Sequence, residues 1–348
     1  MPKTLFAGLP LRRHRIVLGW IVLPSLVFGG IALALACWPI STQVAMQLQT
    51  QSLQFSPINA TGELWDGSLK FTALDFQGLQ KLSLPGDWPL SENGKPVSTT
   101  TQPRAWLGAE SPRAELHLAT AGWLNAVHLR PASELSLVAI GNRQFTLRWL
   151  ESPQTLLIVP IGHSQLQGHY LHRTALDQPR IDDLDLQISP PPNQPFEVAV
   201  QAGATVTIST ETILLLPKAL PLSKLAFNEQ NSEGEPVCSL RGELKLRYPD
   251  FPERAEKTLP APDSCQIQSA SAHPLELSEL RFNDKGDGWL LTVTGNVTEL
   301  TLGREDYRLN ALETLWTNDL AKIVFAIVTW MASLALGAYK FLKEESKS

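Results

Sequence analysis

Ser68-Leu69-Lys70-Phe71-Thr72-Ala73-Leu74-Asp75-Phe76 decides how the middle of this chain is read. Leu69 and Phe71 alternate with Ser68, Lys70 and Thr72, as on a strand with one face against a core. Leu74 and Phe76 then restart the alternation out of phase. A period-two pattern that slips by one residue predicts a β-bulge, because an extra residue on one strand returns the apolar side chains to the buried face.

The same alternation recurs outward from this stretch. It marks Ala114-Leu116-Leu118, Leu135-Leu137, Phe145-Leu147-Trp149, Leu184-Leu186-Ile188, Phe196-Val198-Val200, Leu244-Leu246-Tyr248 and Trp289-Leu291-Val293. No long stretch between residues 41 and 319 sustains helical periodicity, which argues against the α/β nucleotide-binding folds. Proline clusters at 190–192, 217–221 and 249–262 punctuate the strands, since proline cannot donate to a ladder. Pro85-Gly86-Asp87-Trp88-Pro89 marks a further turn, and the polar stretch from there to about Pro112 reads as a long loop with weak strand character. An apolar or small residue, x, Gly, x, apolar recurs around Gly62, Gly168, Gly242 and Gly295. Glycines at such places suit a strongly curved sheet, and their unequal spacing excludes a regular solenoid. The predicted fold class is mainly β, with curved antiparallel sheets flanked by two transmembrane helices. A boundary between two similar halves near residue 190 is also compatible with the pattern.

The flanking helices are read from two apolar runs. Ile16 to Cys37 carries no charge, and Leu320 to Tyr339 carries only Lys322 near its start. Each is long enough to cross a hydrocarbon core of ~30 Å at 1.5 Å per residue. Arg12, Arg13 and Arg15 precede the first run and Lys340, Lys343 and Lys347 follow the second, so the positive-inside rule places both termini in the cytoplasm. The expected organisation is a cytoplasmic 1–15, a helix over 16–38, a periplasmic β-rich domain over 39–319, a helix over 320–340 and a cytoplasmic 341–348. Ala34-Leu35-Ala36-Cys37 leaves two alternatives open, a cleaved signal peptide and an acylated Cys37.

Of the chain's 348 residues, 29 are Lys or Arg and 34 Asp or Glu; the terminal segments take 8 and 2 of them. Residues 41–319 therefore hold 21 basic and 32 acidic residues, a net charge of −11. That acidity argues against binding nucleic acid or an anionic membrane surface by bulk electrostatics. Cys238 and Cys265 fall in the exported part, where an oxidising compartment lets them pair, and a disulfide between them is expected.

No catalytic motif of the common hydrolase, nucleotide-binding or zincin types is present, so an enzyme, a cofactor and a catalytic residue are not expected. His163, His169 and His172 are the nearest thing to a ligand set, yet His169 and His172 would face opposite sides of a strand. Asp182, Asp183 and Asp185 read as a solvated strand face, and a calcium site would need more oxygen ligands from a tight loop.

Ala60-Thr61-Gly62-Glu63-Leu64-Trp65-Asp66-Gly67-Ser68-Leu69, shortly after the first apolar run, resembles the small-Gly-x-Leu-Trp-x-Gly signature of the type II secretion system protein N family. Gly62, Leu64, Trp65 and Gly67 carry that resemblance, and the run Leu240 to Tyr248 is similar to the family's distal strands. The resemblance implies an inner-membrane component of a secretion machine that acts through a periplasmic β-domain and binds other inner-membrane or secretion proteins. The wider group of AsmA-like β-groove proteins shares short strands with glycine, and likeness to it implies the alternative, a lipid or glycolipid carrier with an apolar groove. Read physically, Trp65 is a buried aromatic at a sheet corner, with Gly62 and Gly67 permitting bends beside it.

Overall fold

The computed structural model describes residues 30, 33–35, 37–58, 64–65, 67–86, 88–97, 104–108, 113–125, 127, 133–151, 153–173, 184–213, 219–230, 236–261, 265–269, 275–311, 313–314 and 322. Nearly all of it is β-structure. In chain order the strands are β1 (Thr42–Thr50), β2 (Ser52–Pro57), β3 (Ser68–Leu84), β4 (Leu90–Glu92), β5 (Lys95–Val97), β6 (Arg104–Gly108), β7 (Glu115–Leu118) and β8 (Gly122–Asn125). There follow β9 (Leu135–Gly141), β10 (Gln144–Trp149), β11 (Gln154–Pro160), β12 (Leu166–Arg173), β13 (Leu184–Ile188), β14 (Phe196–Thr210), β15 (Leu220–Ala226) and β16 (Asn228–Gln230). The last are β17 (Pro236–Cys238), β18 (Leu240–Arg247), β19 (Lys257–Pro260), β20 (Cys265–Ser269), β21 (Leu275–Phe282), β22 (Trp289–Leu302) and β23 (Glu305–Asp306).

β16 and β17 form a small sheet of their own, and the other strands join one 21-stranded sheet. Its long axis is the antiparallel pair of β3 and β14. The far edge of β3 is shared in succession by β8, β7 and β6, and the far edge of β14 by β10 and β11. β11 also pairs with β8, which closes a circuit β3–β8–β11–β14. From β10 the sheet continues through β9, β2 and β15 to β20 and β21, and both of these pair with β22. β1 pairs with β18, and β19 follows β18.

The slip anticipated in the opening stretch is present. Ser209 faces Ala73 and Thr210 faces Phe71, so Thr72 is the extra residue on β3. Leu69, Phe71, Leu74 and Phe76 all stay inward and buried. A second bend follows at Gly78, which has φ +79 and faces Gln201 to Ala204 of β14, a stretch with no register partner. A Cβ on Gly78 would lie 3.2 Å from the Ala204 Cα, and its left-handed backbone conformation favours glycine. Gly168 and Gly242 from the recurrent pattern likewise sit beside register shifts, of β12 against β13 and of β18 against β1.

Gln43–Tyr307 is one compact unit, and residue 190 lies inside it: strands before 190 (β3, β10, β11) pair with β14 after it. Met1–Thr42 with Arg308–Ser348 forms the other unit. Within the first of these, the inward faces of unpaired strands meet. Phe145 of β10 lies edge-on to Phe282 of β21 and Trp289 of β22, at 6.0 and 5.4 Å between ring centroids.

One reading from sequence is corrected. The polar stretch expected as a long loop contains β4, β5 and β6. Asn93 and Gly94, both at positive φ, make the tight turn of the β4–β5 hairpin.

Most of the two apolar runs, 16–37 and 320–339, lies outside the described residues. Gly30, 33–35 and Cys37 are helical on one side, and Ala311, Glu313, Thr314 and Lys322 on the other. Among the described residues no helix is long and apolar enough to cross a membrane.

Candidate functional site

Of the four motif residues, Gly62 lies outside the described residues. Leu64 and Trp65 are buried. The Trp65 indole Nε1 donates to the carbonyl oxygens of Leu124 and Asn125, each at 3.2 Å, at the end of β8. The ring thus fills the core while its one polar atom is satisfied by backbone, as a buried tryptophan requires. Gly67 adopts φ +65 in open space and turns the chain into β3. The motif is a corner anchor between the β2–β3 connection and β8.

Cys238 and Cys265 form a disulfide, with Cα atoms 5.7 Å apart, that joins β17 to β20. Cys37 is free and exposed. Next to the bridge, Ser239 belongs to a buried hydroxyl cluster. Its Oγ lies 2.7 Å from Thr50 Oγ1 and donates to the Ser52 carbonyl at 2.5 Å, while the Gln51 N–H donates to the Ser239 carbonyl at 3.3 Å. These contacts fix the corner where β1 turns into β2. Replacing Thr50 by valine is expected to cost about 0.5–1.5 kcal/mol, because the Ser239 hydroxyl and the Ser52 and Ser239 carbonyls each lose one hydrogen bond and keep another. Thr50→Val and Ser239→Ala together should cost less than the sum of the two, measured by urea unfolding of each variant and the pair. Additive losses would show that the two hydroxyls do not act as a unit.

The outward face over β1 carries a trough of mixed polar and apolar lining, made of two adjoining clefts of about 240 and 380 Å³. Its floor is Ala45, Gln47 and Gln49, and its walls carry Glu243, Lys245 and Arg247 on one side and Glu279 and Arg281 on the other. Much of this charge is already paired. Arg247 Nε meets Glu256 Oε2 at 2.5 Å, and Arg281 Nε meets Glu279 Oε1 at 2.9 Å. Thr292 Oγ1 donates to the other Glu279 oxygen at 3.1 Å. An acyl chain laid over these charges would desolvate them without compensation, although Leu290 and the Ala45 methyl also line the trough.

The three histidines singled out by spacing do not converge. His163 is exposed, and His169 Nδ1 sits 3.0 Å from Asp185 Oδ1. Asp182 and Asp183 lie outside the described residues. The pair that spacing could not reveal is His117 of β7 with Asp75 of β3, joined only because the two strands are neighbours. Among the described residues no group of three or more His, Cys, Asp or Glu is placed to hold a metal ion.

A second feature absent from the sequence reading joins the two ends of the described chain. Pro39 bridges to Asn310, Ile40 N–H donates to the Leu309 carbonyl at 3.0 Å, and Ala311 N–H donates to the Trp38 carbonyl at 2.9 Å. Asn310 and Glu313 then cap each other. Glu313 N–H donates to Asn310 Oδ1 at 2.7 Å, and Asn310 N–H donates to Glu313 Oε2 at 3.0 Å. This reciprocal box opens the helix at Ala311, and the Asn-x-x-Glu spacing was its sequence signal. Leu33 and Trp38, at the end of the first apolar run, are 67% and 68% exposed.

Comparison with protein-family models, with curated proteins and with solved structures finds no match to this chain.

Proposed function

We propose that this chain is a membrane-anchored β-scaffold of a bacterial envelope trafficking or protein secretion machine, similar in role to type II secretion protein N. Its body would stand in the periplasm and bind other inner-membrane or secretion proteins through its outward faces. The observation that carries this reading is the packed inward face. Phe71, Leu74, Val198, Val206, Ile208, Leu291 and Val293 are each at most 2% exposed, because inward side chains cover one another. A lipid carrier needs apolar surface left open for acyl chains. The outward faces carry ion pairs and amides, which suit a polar, partner-binding surface.

The clasp supports the anchoring half of the proposal. With both apolar runs read as spans, a clasp of 38–40 on 309–311 is suited to holding them to one membrane, with 1–15 and 341–348 on its cytoplasmic face. A reporter active only outside the cytoplasm should be active when fused after Gly168 and silent after Ser348. Activity after Ser348 would mean that 320–340 does not span, and the anchoring would rest on the first run alone.

The scaffold role is tested by isolating the full chain from native membranes and identifying the proteins and lipids that accompany it. Stoichiometric inner-membrane or secretion proteins are expected. Bound phospholipid without such proteins would overturn the scaffold reading in favour of the AsmA-like carrier.

A further inference from the structure

No further inference is drawn: the strongest candidate, the outward side-chain cluster of Asp75, Glu115, His117, His169 and Asp185 on β3, β7, β12 and β13, turns each imidazole onto its own aspartate on opposite flanking strands, so it forms no shared ligand set.

Discussion

Replacing Trp289 by alanine is expected to cost about 3–5 kcal/mol of folding stability, the range for deleting a large buried aromatic. Trp289 is wholly buried and stacks on Phe282 with ring centroids 4.3 Å apart and planes at 24°. It also meets Phe145 edge-on at 5.4 Å. β10 does not pair with β21 or β22, so this trio adds side-chain packing to the backbone links between them, which run through β9, β2 and β15 and through the Arg143 N–H bond to the Gly286 carbonyl. Truncation removes the transfer free energy of the indole and leaves a space that two rigid, hydrogen-bonded strands cannot collapse to fill. Against a total stability of about 5–15 kcal/mol, the loss would be a large share. Urea unfolding of the purified full chain, followed by far-ultraviolet circular dichroism, measures it. Trp289→Phe keeps a ring in place and should cost distinctly less. A loss under about 1 kcal/mol for Trp289→Ala would show that the aromatic trio does not tie the two faces together.

Removing the Cys238–Cys265 bridge should cost about 3–4 kcal/mol at 25 °C by chain entropy, given a separation of 27 residues. The closed segment contains the β18–β19 hairpin, and β18 is a register partner of β1. An unfolded chain without the bridge regains the freedom of that segment, and the folded state does not, so stability falls. Cys238→Ser with Cys265→Ser, compared with the parent chain in urea, gives the size of the effect. Cys37 supplies an internal standard. The unreduced parent, unfolded in denaturant, should titrate as one thiol among its three cysteines and as three after reduction. Three thiols before reduction would remove the bridge from the account altogether.

Both effects depend on where distant residues meet, and the sequence settles that unevenly. The alternation of Leu69, Phe71, Leu74 and Phe76 was enough to give a strand, its buried face and a bulge between Phe71 and Leu74, and the register with β14 then identified Thr72 as the extra residue. All of that follows from the two-residue period of extended backbone within one segment. The glycine pattern marked two of the register shifts for the same local reason. Trp65 was legible as a buried corner residue because a large aromatic between glycines has few other places to go. The Cys238–Cys265 pair was legible because the chain between the two apolar runs has only those two cysteines.

Partner choice was not legible. β3 and β14 lie more than a hundred residues apart, and the longer strands share much the same alternation. A period of two tells which side of a strand is buried and says nothing about which strand lies beside it. Side-chain complementarity and the geometry of the turns decide that together. Everything built on which strands lie beside or across from one another was therefore settled by the tertiary structure alone: the Asp75–His117 pair, the Thr50–Ser239 cluster, the trough over β1 and the meeting of Phe145 with Trp289. The Asn93-Gly94 turn was missed for the opposite reason. Its signal was local, but the strands it joins are three residues each, too short for alternation to show against a polar background. The clasp between Trp38 and Ala311 lay furthest from view, because it joins backbone groups separated by most of the length of the chain.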